Sequence, residues 1–223
     1  MRAMTGDSAP SRSGREVRDY LLRQTNSTLR RPAMFGGEMA LRLYFDALAF
    51  ADGCEQLWRE DIDALRSRGA FAPTGVTGAV EHVLGHRADD VVSSVYAEIA
   101  HVRTWLVLDQ PLTPARYDRL RDAIEPWCAQ DRSHSDVLAE FGPPSVLLGG
   151  SNPLYPKTFA YGTANPDDPL VFLHLWNGTA PGSATSWPPD HAEPQLLAAR
   201  CGGATFRDGF SFTPRGATGS RSR

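Results

Sequence analysis

The stretch from Ser133 to Trp176, SHSDVLAEFGPPSVLLGGSNPLYPKTFAYGTANPDDPLVFLHLW, sets where helix gives way to strand in this chain of 223 residues. Ser133 and Asp136 have the spacing of a capping box, and Val137, Leu138 and Phe141 give the following turns one apolar face. Gly142 suits the left-handed position after a helix, and Pro143-Pro144 forbid its continuation. Beyond that stop the period changes. Lys157–Tyr161 and Leu170–Trp176 read as strands separated by the turn-rich segment 162–169. Gln195–Cys201 and Phe206–Phe212 read as a later pair, with Gly202-Gly203 at the turn. Gly149-Gly150-Ser151-Asn152 reads as a hairpin or wide turn, and 177–194 as a long loop.

Before Ser133 the signals are helical. Ser13 and Glu16 form a second capping-box pair, followed by Val17, Tyr20 and Leu21 on one stripe. Pro32 interrupts, Gly36-Gly37 turns the chain, and Met34 and Phe35 are expected to staple the next helix to the core. That helix starts near Glu38. Met39, Leu43, Ala47 and Phe50 share a face, joined by Leu41, Phe45 and Leu48, so the pattern predicts a central, buried helix. Helices are also expected around Leu57–Leu65, Val76–Leu84 and Val91–Val102, and after Thr113-Pro114. Helices and strands segregate along the chain, which points to an α+β fold: an N-terminal helical layer, then a small helix with an antiparallel sheet. The expected organisation is a disordered tail at 1–13, a helical region at 14–130, a helix-plus-sheet region at 131–213 sharing one core with it, and a second tail at 214–223.

Composition excludes some functions. A net charge of −3 argues against a dedicated nucleic-acid binder, leaving the arginine-rich N-terminal segment as the one route to such contact. Lys157 is the only lysine, a bias that suggests GC-rich coding and an actinobacterial source. No apolar run reaches membrane-span length and no secretory signal opens the chain, so the expected compartment is the cytoplasm. Three scattered cysteines form neither a disulfide framework nor a zinc knuckle. No nucleophile elbow, phosphate loop or HExxH motif occurs, and no cofactor is expected.

His82 and His86 have the spacing of paired metal ligands, with His101, Asp89 or Glu98 as a third, but Gly85 between them ends the helix that would align them. His174 lies inside the most apolar strand. Alternation puts Leu170, Phe172, His174 and Trp176 on one face, and Lys157, Phe159 and Tyr161 are expected beside them. His174, Tyr161 and Lys157 are therefore the candidate catalytic set on an aromatic face.

Ser133, Val137, Gly142 and Pro144, with the aromatic strand at Phe159 and Tyr161 and the apolar strand after it, make residues 131–176 resemble the SmpA/OmlA (BamE-like) module. The whole chain also resembles a family of actinobacterial proteins. The module resemblance implies a helix pair on a three- or four-stranded antiparallel sheet and a protein-binding role. Its lipoprotein members carry a signal peptide and a lipidated cysteine, which this sequence lacks. The expected function is a cytoplasmic protein-binding module, such as an immunity or regulatory partner, anchored by Tyr155, Phe159, Phe172, Trp176 and Trp187. The alternative is an enzyme or accessory protein of specialised metabolism, with a small-molecule site around His174.

Overall fold

The computed structural model describes residues 13–178 and 189–220. Among them are eight α-helices and one five-stranded antiparallel sheet, an α+β fold. The helices are α1 (Gly14–Arg30), α2 (Gly37–Asp52), α3 (Glu55–Ser67), α4 (Val76–Leu84), α5 (Asp89–Val102), α6 (Pro114–Trp127), α7 (His134–Phe141) and α8 (Pro214–Ser220). A 3-10 turn, Pro32–Met34, joins α1 to α2. The strands are β1 (Val146–Gly149), β2 (Lys157–Tyr161), β3 (Val171–Trp176), β4 (Gln195–Arg200) and β5 (Phe210–Phe212). Each strand pairs with its neighbour in sequence, as short connections favour. The resemblance implied three or four strands; the meander has five.

Both capping boxes form, at Ser13/Glu16 and Ser133/Asp136, so two orphan N–H groups are satisfied at the start of α1 and of α7. Glu38 caps a different helix from its own. Its carboxylate accepts hydrogen bonds from the N–H groups of Val76 and Thr77 at the start of α4, and from the hydroxyl of Tyr96.

The sheet is a middle layer. Val146, Leu148, Ala160 and Phe172 pack with Leu29, Phe45, Val80 and Val95 from the helices before it. On the opposite face, Phe159, Tyr161, Val171 and Leu173 pack with Tyr117, Ile124, Val137 and Phe141 from α6 and α7. The central helix is α5, which buries eleven of its fourteen residues. The expectation that α2 is central is corrected. It buries Leu41, Phe45, Leu48 and Ala49 but leaves Met39, Leu43 and Phe50 exposed by 67, 65 and 77%. It is apolar on two sides and has a layer to pack against on only one. Met34 and Phe35 are likewise exposed and staple nothing.

The expected tail at 214–223 is corrected over residues 214–220, which form α8; residues 1–12 of the other expected tail, and 221–223, lie outside the described residues. Thr213 starts it, bonding Gly216 N through its hydroxyl while donating to Leu196 O. A side chain at Gly216 would run into the carbonyl of Leu197, so glycine lets the helix lie directly on β4. Anchoring by backbone and hydroxyl groups leaves no apolar signal in the sequence. No helix among the described residues is long and apolar enough to cross a membrane.

Candidate functional site: a cleft over a buried Asp-Thr-His chain

An open cleft of about 840 Å³ lies at the N-terminus of α5. Three chain segments and one side chain form it: the Pro32–Met34 turn, the 86–90 link between α4 and α5, the β1–β2 connection, and Trp176 at the end of β3. Local sequence explains the walls. Gly85 takes the left-handed conformation that ends α4, so His86 leaves the helix and turns toward the sheet. Its ring lies 4.1 Å from that of Trp176. Burial pushes the His86 pKa down, and its Nδ1 contacts Leu84 O at 3.2 Å. Gly149 has φ +100°, and a Cβ there would stand 3.2 Å from Lys157 Cα and 3.3 Å from Asp90 Cβ. Glycine is what allows the loop to close over Asp90. Arg31 is exposed at the rim, and Arg87 pairs with Asp89 at 2.9 Å.

Asp90 forms the floor. It lines the cleft, yet it is buried. Burial pushes its pKa up to about 6, against the opposing pull of the Thr158 hydroxyl and the N–H groups of Asp90 and Val91. Thr158 Oγ1 lies 2.6 Å from Asp90 Oδ2 and 2.9 Å from His174 Nδ1. The register of the sheet makes this possible, because Thr158 and His174 are direct cross-strand partners. His174 is held between the rings of Phe172 and Phe210, with centroids 6.3 and 5.5 Å away. Burial, with Arg200 nearby, pushes its pKa well below the usual value, so the ring is neutral. Its Nε2 atom has no hydrogen-bond partner. Beside it is a small void of about 10 Å³, lined by Asp90, His174, His86 and Trp176 among others.

The structure splits the candidate catalytic set. His174 is on the face toward α5, while Lys157 and Tyr161 are on the face toward α6 and α7. The expectation of one shared face fails because Thr158 and Ala160, not their neighbours, stand opposite His174 and Phe172. Tyr161 donates to Gly142 O at 2.9 Å, and Lys157 Nζ donates to Asn152 O at 2.6 Å. Phe159 is buried against Tyr161 and His134, and Phe172 lies in the core beneath Arg200. The aromatic face proposed for docking is therefore covered. Tyr155 and Trp176 both line the cleft. Trp187 lies outside the described residues.

The three histidines weighed as metal ligands are apart. His82 is exposed, His86 turns into the cleft, and His101 Nε2 contacts Asn165 O at 3.1 Å. Among the described residues no group of three or more His, Cys, Asp or Glu is placed to hold a metal ion. Within the arginine-rich segment, Arg18 and Arg30 are taken up by Asp52 and Asp109.

Sequence reasoning missed Asp90 and Thr158. Asp90 stands at the start of a helix, an ordinary place for an acid, and its pairing with Thr158 depends on tertiary packing of α5 on β2. No protein-family model matches this chain, and no curated protein or solved structure matches it.

Proposed function

We propose that the cleft is a binding site for a small organic molecule, and that Asp90 exchanges a proton with that molecule. The observation that carries this reading is a buried carboxyl, its pKa raised by burial to about 6, on a residue that lines an open cleft. Groups with pKa values shifted in this way cluster at functional sites. The cleft supplies what a small ligand needs. Trp176, His86 and Met34 offer apolar and aromatic surface, and Arg31 at the rim suits an anionic substituent. On this reading the protein acts as an enzyme or accessory protein that handles small metabolites.

Thermal-shift screening of a metabolite library tests it. A ligand that binds only the native state raises Tm, by mass action. Hits on the wild type are expected to lose their shift in Trp176→Ala and to change their pH dependence in Asp90→Asn. Hits that persist unchanged in both variants would place binding elsewhere.

A second reading, an immunity or regulatory protein-binding module, draws on the exposed apolar side chains of α2. Met39, Leu43 and Phe50 form a stripe of the kind that partners cover. Replacing Leu43 and Phe50 together by serine is expected to abolish any stoichiometric complex recovered with the wild type. A complex that survives the change would remove the support this stripe gives.

A further inference from the structure

Two hydrogen bonds meet at one hydroxyl in the core, and the arithmetic of protons there leads beyond ligand binding. Thr158 Oγ1 has a single proton. It faces a carboxyl oxygen on one side and an imidazole nitrogen on the other, both at hydrogen-bond distance. It can donate to only one of them. Whichever it does not donate to must donate to it.

We infer that Asp90, Thr158 and His174 form a proton-linked relay, in which protonation of Asp90 switches the buried, neutral His174 from the Nδ1–H to the Nε2–H tautomer. With Asp90 ionised, Thr158 donates to Oδ2, His174 Nδ1–H donates to Thr158, and Nε2 carries a lone pair. With Asp90 protonated, its O–H donates to Thr158, Thr158 donates to Nδ1, and the imidazole proton is on Nε2. The chain holds two protons in the first state and three in the second. One proton entering at Nε2 balances the change: Nδ1 passes its proton to Thr158, and Thr158 passes its own to Asp90. No oxidant or metal is required; the proton needs only a transient carrier, such as a water molecule, that reaches the otherwise unpartnered Nε2.

The surroundings favour the switch over simple charging of the ring. His174 is fully buried between two phenyl rings, and the Arg200 guanidinium on β4 opposes an imidazolium. That guanidinium is itself paired with Glu98 of α5 at 2.8 Å. On the Asp90 side, Asp89 raises the carboxyl's pKa, Arg87 is occupied by Asp89, and His86 is held neutral by burial. Arg31 lies across the cleft, and the Lys157 ammonium on β2, which donates to Asn152 O, interacts with the charge of Asp90 and so works against the carboxylic acid. The N–H groups of Asp90 and Val91 need an acceptor oxygen on the carboxyl. In the relay the added proton is on Oδ2, the oxygen toward Thr158. Nε2 is without a partner in either state, so its penalty falls on both and leaves Asp90 to set the balance.

The consequence is a link between the charge of whatever occupies the cleft and a group buried beyond it. An occupant that is cationic near Asp90 holds the carboxylate, and Nε2 is an acceptor. An occupant that is anionic there favours the carboxylic acid, and Nε2 becomes a donor. The relay works in the ligand-free protein, so its test is independent of whether the cleft reading holds.

The measurement is a pH series of long-range proton–nitrogen NMR spectra of the imidazoles in nitrogen-15-labelled protein, between about pH 5 and about pH 8, alongside the carbon-13 shift of the Asp90 carboxyl. The His174 pattern is expected to pass from Nε2–H to Nδ1–H as pH rises, without an imidazolium signature, and with the midpoint of Asp90. In Asp90→Asn, which keeps the size of the side chain and donates permanently, His174 is expected to stay Nε2–H throughout. Thr158→Val is expected to remove the pH response, and Thr158→Ser to restore it. A wild-type His174 that keeps one tautomer across the series, becomes an imidazolium, or switches at a midpoint unlike that of Asp90 would overturn the relay. The wild-type and Asp90→Asn spectra decide the matter even if Thr158→Val does not fold.

Discussion

At Asp90 the chain keeps a carboxyl where a neutral side chain would cost less. Its folded pKa of about 6 stands above the ordinary value of 3.8. The native state therefore binds the proton more tightly than the unfolded chain does. The stabilisation from that proton is complete below about pH 4 and is lost as pH rises through about 6. The shift corresponds to about 3 kcal/mol. Denaturant unfolding of the wild type and Asp90→Asn at both ends of this range should show it: relative to the wild type, the variant gains about 3 kcal/mol on going from acid to neutral pH. An unchanged difference would show that Asp90 titrates normally. Single residues were partly legible in the sequence. His174 stood out as the lone imidazole in an apolar strand, and Tyr155 and Trp176 as aromatics of the interface type. Asp90 and Thr158 did not, because an acid at a helix start and a threonine in a strand are ordinary until the fold brings them within 2.6 Å.

Among the elements, α2 separates apolar content from burial. Phe45 touches the rings of Trp58, Tyr96 and Trp105, whereas Phe50, five residues and so about 140° further round the helix, faces outward. Phe45→Ala is expected to cost about 3–5 kcal/mol and Phe50→Ala no more than about 0.5 kcal/mol, both read from denaturant midpoints. A comparable loss in both would mean that Phe50 is covered in solution. Gly149 tests the loop at the site. Gly149→Ala must adopt a positive φ and crowd Asp90, so it is expected to cost about 1–3 kcal/mol and to move the Asp90 midpoint. Helix starts and stops were the most legible elements. Capping boxes and Gly-Pro-Pro act through neighbouring backbone, so residues three to five apart carry the whole signal. Helix α8 was hidden because a hydroxyl cap and a glycine contact hold it, with no apolar stripe.

For the whole molecule, the segregation of helices and strands along the chain gave the α+β class, but it did not say which helix covers which face. That α6 and α7 cross to the far side of the sheet follows from the two clusters that alternate residues of β2 and β3 build. The same alternation separates His174 from Lys157 and Tyr161 and removes the sheet face as a docking surface. What remains open is the junction of layers, where the start of α5, the β1–β2 connection and the end of β3 meet over Asp90. Proton exchange at that junction is the central claim. It is tested most directly by the carbon-13 titration of the Asp90 carboxyl, without ligand and then with a compound found to bind. The account predicts a midpoint near 6 that moves when the compound is bound. A midpoint in the ordinary carboxylate range that stays fixed on binding would contradict it.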